Sequence, residues 1–119
     1  MRMWMVNPVL LCDKHLLGEH GEIHKFIPTF RRGLKVDKRF SPVVQVQFDG
    51  YRQRHDALAD EMLLRGMNHR SPLKELPDFE LIYPKYFNLK VDIDFSLNDL
   101  QARCEDCRMR QVLYVDYIN

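Results

Sequence analysis

The densest group of ionisable side chains runs His15-Leu16-Leu17-Gly18-Glu19-His20-Gly21-Glu22-Ile23-His24-Lys25. Wound into a helix, His15, Glu19 and Glu22 are spaced four and then three residues apart and share one face, with His20 and His24 as an i, i+4 pair beside it. Carboxylates on such a face can move protons, and paired imidazoles can hold a metal. The His20/His24 spacing is that of the helical histidines of zinc hydrolases, but Gly21 stands where that signature needs its glutamate. The competing reading is a solvated polar helix face with ordinary i, i+4 pairs.

A second constellation joins Cys12-Asp13-Lys14-His15 to Cys104-Glu105-Asp106-Cys107. Three thiolates and one imidazole would close a tetrahedral structural metal site. Cys104 and Cys107 equally suit the apolar stripe of a helix, where reduced cysteine packs as a small hydrophobe. Three cysteines, an odd number without a secretion signal, argue against a disulfide framework.

The stretch Lys14-His15-Leu16-Leu17-Gly18-Glu19-His20-Gly21-Glu22 also resembles the His-Leu-x-x-Glu-x-x-Glu segment of the pyrimidine-dimer DNA glycosylases, the endonuclease V type of phage and chlorovirus. Arg2 matches the arginine beside that family's nucleophile. Leu64-Arg65-Gly66-Met67-Asn68 resembles the Lys-Arg-Gly-Phe-Asn that closes the family's second helix.

The resemblance implies a DNA glycosylase with AP-lyase activity on double-stranded DNA containing damaged pyrimidines. It implies that the α-amine of residue 1, here Met1, attacks C1′ of the sugar, and that Glu22 handles the sugar ring and the later elimination. Arg2, Lys14, His15, Lys25, Arg31 and Arg32 are the DNA-binding set it suggests, with no cofactor, no metal, no membrane and a monomeric chain. Tyr114 and Tyr117 resemble the family's aromatic carboxyl terminus, which lies against DNA; closing the core is the other reading of the two rings. Two positions depart from the family. Its nucleophile is commonly a threonine exposed by removal of the initiator methionine, whereas this sequence begins Met1-Arg2, and its arginine is replaced by Gly21.

The chemistry has a physical basis of its own. An α-amine titrates at about 7.7–8.0, far below lysine, so it supplies free base near neutral pH. Cations such as Arg2 and Lys25 would lower it further. An imine at C1′ acidifies the 2′ proton, which a placed carboxylate can remove.

Two rival functions remain open on the sequence. One is a non-catalytic helical nucleic-acid-binding protein stapled by zinc through Cys12, His15, Cys104 and Cys107. The other is a metal hydrolase using His20 and His24.

The elements that must position these residues are few. With 119 residues, 45% hydrophobic and 29% charged, residues 1–119 suit one compact domain. No apolar run approaches the ~18 residues of a membrane span, so a cytoplasmic protein is expected. The net charge of +1 is segregated: residues 1–54 carry ten Lys/Arg against five Asp/Glu, and residues 55–119 eight against twelve. A basic half suits a polyanion.

Asn7-Pro8 marks a helix start and Gly33 its end, with a kink or split at Pro28. Tyr51, His55, Leu58 and Met62 set a second helix from about Tyr51 to Arg65, stopped by Gly66. Ser96-Leu97-Asn98-Asp99 resembles a capping signal, and Leu97, Leu100, Cys104 and Cys107 make the inner face of a third helix ending near Arg110. Val44, Val46 and Phe48 alternate as in a strand or extended loop, and Leu89 to Phe95 as in a short strand. Between the second and third helices, prolines and aromatic rings predict an irregular covering segment. The fold class expected is mainly α, a single compact domain of about three helices with long irregular connecting segments.

Overall fold

The computed structural model describes residues 1–69 and 71–118. Its regular structure is helical, as expected: α1 (Asp13–Lys25), α2 (Ile27–Arg31), α3 (Tyr51–Leu64), α4 (Phe79–Ile82), α5 (Ile93–Arg103) and α6 (Glu105–Leu113), with 3-10 turns at Pro8–Leu10, Asp37–Arg39 and Val115–Tyr117. No strand occurs among the described residues, and none of their helices is long and apolar enough to cross a membrane.

The helix start at Asn7-Pro8 is real but short. Asn7 Oδ1 accepts from the Val9 amide at 3.1 Å, yet only a 3-10 turn follows before the chain extends at Leu11. Cys12 then caps α1, its sulfur accepting from the His15 amide at 3.5 Å. This double start turns Leu10 and Leu11, both fully buried, into the core. The split at Pro28 is observed: α1 stops at Lys25, and α2 resumes with the proline in its first turn, where its missing N–H costs nothing. Gly33, at φ +63°, closes that helix in the left-handed region.

Helices α1 and α3 lie against each other. Leu16 and Ile23 of α1 and Leu58 and Met62 of α3 are buried, and the Tyr51 hydroxyl donates to the Ile23 carbonyl at 2.6 Å. The covering segment is stitched down by rings, as the sequence suggested. Phe48 stacks on Phe79 and Tyr83 at 4.5 and 5.1 Å between centroids, Phe30 meets it edge-on at 5.1 Å, and Phe40 stacks on Tyr86 at 4.3 Å. Each such pair adds about 0.5–1.5 kcal/mol beyond the area it buries.

The third helix differs most from expectation. It begins at Ile93, because Asp92 accepts from the Phe95 amide and acts as the cap, leaving Ser96 inside the helix and buried. Leu89 to Phe95 is therefore an extended approach followed by a helical turn rather than a strand. The helix then breaks at Cys104, whose backbone is extended (φ −133°, ψ 110°), and restarts as α6 with Cys104 as its cap. Of the two tail rings, Tyr114 packs partly buried against the core beneath Arg110, and Tyr117 is exposed.

Residues 1–6 lie in a groove of this scaffold. Met3 and Val6 are buried, the Met3 amide donates to the Gln45 carbonyl at 2.7 Å, and the Trp4 amide donates to Glu19 Oε1 at 3.2 Å. Met5 adopts φ +61°, a left-handed conformation that costs a non-glycine residue about 1–2 kcal/mol. The anchors on either side of it hold the chain there.

Candidate active site

Three successive features of α1 build the site. His15, Glu19 and Glu22 share a face, as their spacing requires, and that face looks onto the amino-terminal segment. Glu19 is 2% exposed, and burial of a carboxylate at that level demands a counter-charge. Arg54 of α3 supplies it: Nε and Nη2 donate to the two carboxylate oxygens at 2.6 and 2.9 Å, while Nη1 donates to the Val6 carbonyl at 2.6 Å. Glu19 also accepts from Trp4. This buried pair therefore moors residues 4–6 to both long helices.

One turn further along, Glu22 meets Met1. The α-amine lies 3.9 Å from Glu22 Oε2, an oxygen that is itself buried and makes no hydrogen bond. Burial pushes the Met1 ammonium below its ordinary value of 8.0; Arg39 and Lys25 push the same way, and Glu22 opposes them. The amine is thereby easier to deprotonate than an exposed one, and it faces a buried carboxylate oxygen that makes no hydrogen bond.

Both groups open into a cleft of about 590 Å³ lined by Met1, Arg2, Trp4, Lys14, His15, Gly18, Glu19, Glu22, Arg39, Gln45 and Arg103. The lining carries four side-chain cations and two carboxylates: Glu19 is spent on Arg54, Arg2 and Arg103 are both paired with Asp99 of α5, and Glu22 faces Met1. Arg2 is held in place by Asp99 of α5 at 3.0 Å and lies 4.2 Å over the Trp4 ring. An anion would find several positive partners here, with the Glu22 carboxylate beside them.

Of the residues singled out in the sequence, Met1, Arg2, Lys14, His15 and Glu22 converge on this cleft. His15 forms part of its wall, but its Nδ1 is turned away toward Cys12 Sγ at 3.1 Å and Cys107 Sγ at 3.5 Å. Lys25 is exposed at the end of α1 and acts on Met1 through its charge. Arg31 and Arg32 lie outside the cleft lining; Arg31 donates to the Glu75 carbonyl. Arg39, Arg54 and Arg103 were not singled out, although Arg39 and Arg54 count toward the basic half. Their positions follow from chain crossings that no local spacing encodes.

The segment Leu64-Arg65-Gly66 has a clear physical role. Arg65 donates to Glu61 at 2.8 Å and Asp13 at 2.9 Å, and to the carbonyls of Leu11, Pro8 and Val9 at 2.7, 3.2 and 3.5 Å. One guanidinium so ties the end of α3 to the turn preceding α1, and Gly66 at φ +79° lets the chain leave immediately afterwards.

The His20/His24 pair is not a solvated face. It turns toward α3, where His24 Nε2 lies 3.0 Å from His55 Nε2 and His55 Nε2 lies 3.3 Å from His69 Nε2. Burial, with the facing imidazoles of His24, His55 and His69, pushes His20 down to about 4. The sequence places His55 only on the inner face of the second helix and gives His69 no role; neither shares an element with His20 and His24, so no local spacing joins them to the pair.

A family model described as pyrimidine dimer DNA glycosylase matches residues 1–75, the stretch carrying Met1, Arg2, Glu19, Glu22, Arg54 and Arg65. No curated protein and no solved structure matches the chain.

Proposed function

Because the chain belongs to the pyrimidine dimer DNA glycosylase family, we propose that it excises damaged pyrimidines from double-stranded DNA with the Met1 α-amine as nucleophile and Glu22 as acid and base. The observation that carries this reading is the 3.9 Å approach of that amine to the buried, unpartnered Glu22 Oε2 in a cationic cleft.

In this mechanism the amine lone pair forms a bond to C1′ as the N-glycosidic bond breaks, its electrons leaving with the base, which takes up a proton. The ammonium so formed passes a proton to the Glu22 carboxylate, and the resulting carboxyl protonates O4′ as the C1′–O4′ bond opens, leaving an iminium between Met1 and C1′ and Glu22 again as carboxylate. The Glu22 carboxylate then removes a 2′ proton, a C1′–C2′ enamine forms, and the 3′ phosphate departs with the electron pair of its C–O bond as a double bond forms between C2′ and C3′. Water hydrolyses the imine and frees the enzyme. Because the reacting atom is backbone nitrogen, a methionine side chain at position 1 is compatible with every step. Arg2, Lys14, Arg39 and Arg103 hold the phosphates on either side. A nucleotide has to leave the duplex stack for C1′ to reach an amine seated in a cleft.

Borohydride trapping tests the proposal. Untagged protein incubated with ultraviolet-irradiated duplex is expected to form a covalent adduct whose peptide map places the modification on the Met1 nitrogen. A single-residue extension ahead of Met1 should abolish the adduct while leaving the fold intact by circular dichroism. Trapping that survives the extension, or an adduct on a lysine, refutes the assignment.

A further inference from the structure

We propose that Cys12, His15, Cys104 and Cys107 bind a structural zinc ion that locks the α5–α6 corner to the start of α1. The four donor atoms all lie within 4.8 Å of one another. Around a tetrahedral zinc, bond lengths of about 2.3 Å to sulfur and 2.0–2.1 Å to nitrogen place sulfur atoms about 3.8 Å apart, and sulfur and nitrogen about 3.6 Å apart. Cys12 and Cys104 sulfurs are separated by 3.8 Å, and His15 Nδ1 lies 3.5 Å from the Cys107 sulfur and 3.1 Å from that of Cys12. A disulfide requires about 2.05 Å between sulfurs, so the spacing is that of ligands rather than of a bond.

Backbone N–H groups point at the three sulfurs as they would at thiolates: His15 to Cys12 at 3.5 Å, Cys107 to Cys104 at 3.4 Å, and Cys12 to Cys107 at 3.3 Å. Packing by apolar cysteines would not require the third helix to break. The break at Cys104 is what turns its sulfur inward beside Cys107. It also sets Arg103, the residue before it, on the cleft wall, so the metal would position part of the DNA-facing surface without touching the reacting atoms.

A different observation independently assigns a second site. His20, His24, His55 and His69 also present four donor atoms within 4.8 Å of one another. Nitrogen ligands of a tetrahedral ion of zinc's size stand about 3.3 Å apart. The measured separations of 3.0 Å (His24 to His55) and 3.3 Å (His55 to His69) are of that size. His20 Nε2 is buried with no hydrogen-bond partner. His55 Nδ1 lies 2.8 Å from the Asp56 carboxylate, the outer contact that orients a metal-bound imidazole. Four imidazoles and no carboxylate suit zinc or an ion of similar size and softness.

Neither site depends on the glycosylase reading, and the test reads metal rather than strand cleavage. Protein purified untagged after zinc-supplemented expression should carry about two equivalents per chain by mass spectrometry of the metal. Exchange for cobalt(II) should give thiolate-to-cobalt charge-transfer absorption from the first site and tetrahedral ligand-field bands from both. Cys104→Ser should remove about one equivalent and the charge-transfer absorption, whereas His69→Ala should remove about one equivalent and leave that absorption unchanged. Folded, cobalt-loaded wild-type protein without charge-transfer absorption overturns the cysteine site, a result that holds even if Cys104→Ser fails to fold. Metal uptake that stops at about one equivalent in wild-type protein that shows the charge-transfer absorption, or that is unchanged in His69→Ala, overturns the histidine site.

Discussion

The Arg54 guanidinium grips both oxygens of the Glu19 carboxylate, at 2.6 and 2.9 Å, in a place where each side chain is almost fully buried. The pair separates two carboxylates that lie three residues apart on one helix. Glu19 is neutralised and committed to structure, and Glu22 is left free for Met1. Removing one partner of such a pair strands the other charge in a medium that solvates it poorly. Arg54→Ala should therefore cost about 3–5 kcal/mol in chemical denaturation, with loss of the order in residues 1–6 seen as faster amide exchange at Trp4. A cost below about 1 kcal/mol would mean that the pair is no anchor.

Glu22→Gln should behave in the opposite way. Glu22 Oε2 makes no hydrogen bond, so the near-isosteric amide breaks none there and stability should change little. Loss of a proton-transferring group should lower single-turnover strand cleavage by about 10²–10⁴-fold. Cleavage at the wild-type rate would remove Glu22 from the mechanism.

The proposed role of the Met1 amine implies a pH dependence whose sign follows from its surroundings. Attack requires free base, and burial, Arg39 and Lys25 all disfavour the ammonium against the opposing pull of Glu22. The protonation equilibrium is thereby moved to lower pH, so kcat/KM should rise to its plateau through an acid limb lying below the ordinary 8.0 of an α-amine. Arg39→Gln removes one repelling charge and should move that limb upward. The position of the limb, rather than the rate, is the measurement, because Arg39 also lines the cleft. A limb that stays put in Arg39→Gln would contradict the assignment of Met1.

Affinity for duplex should fall steeply with salt if the cleft cations meet phosphates. Each phosphate contact contributes about 0.9 to the slope of log K against log salt concentration. Lys14→Gln combined with Arg39→Gln should flatten that slope by about 1.8, measured by fluorescence anisotropy across a salt series. Arg31→Gln, outside the cleft and occupied with the Glu75 carbonyl, should change it much less.

Arg65→Lys tests the junction between α3 and the turn before α1. Lysine keeps the charge but lacks the planar fork that reaches Glu61, Asp13 and the Leu11 carbonyl together. A loss of about 1.5–3 kcal/mol is expected in thermal or chemical unfolding, the scale of hydrogen bonds made by charged groups. An unchanged stability would show that charge alone holds this corner.

By itself the sequence determined the helices of the site and the order of groups along them. The three-and-four spacing of His15, Glu19 and Glu22 put them on one face, Pro28 and Gly33 divided and closed the first helical stretch, and the apolar stripe of Tyr51, Leu58 and Met62 fixed α3 against it. These are local matters, settled by the 3.6-residue period and by backbone stereochemistry. Helix breaks were less legible: one helix was expected across Cys104, because its apolar period continues through the point where the backbone turns.

Tertiary structure alone decided the allocation of charges and ligands. It gave Glu19 to Arg54, left Glu22 facing Met1 and carried Arg39 and Arg103 to the cleft, and it brought Cys104 and Cys107 to Cys12 and His15. It also completed the His20/His24 pair with His55 and His69. Those partners lie far apart along the chain. Their meeting is set by how buried faces dock and how a buried charge or donor must be satisfied, conditions that exist only once the core has formed.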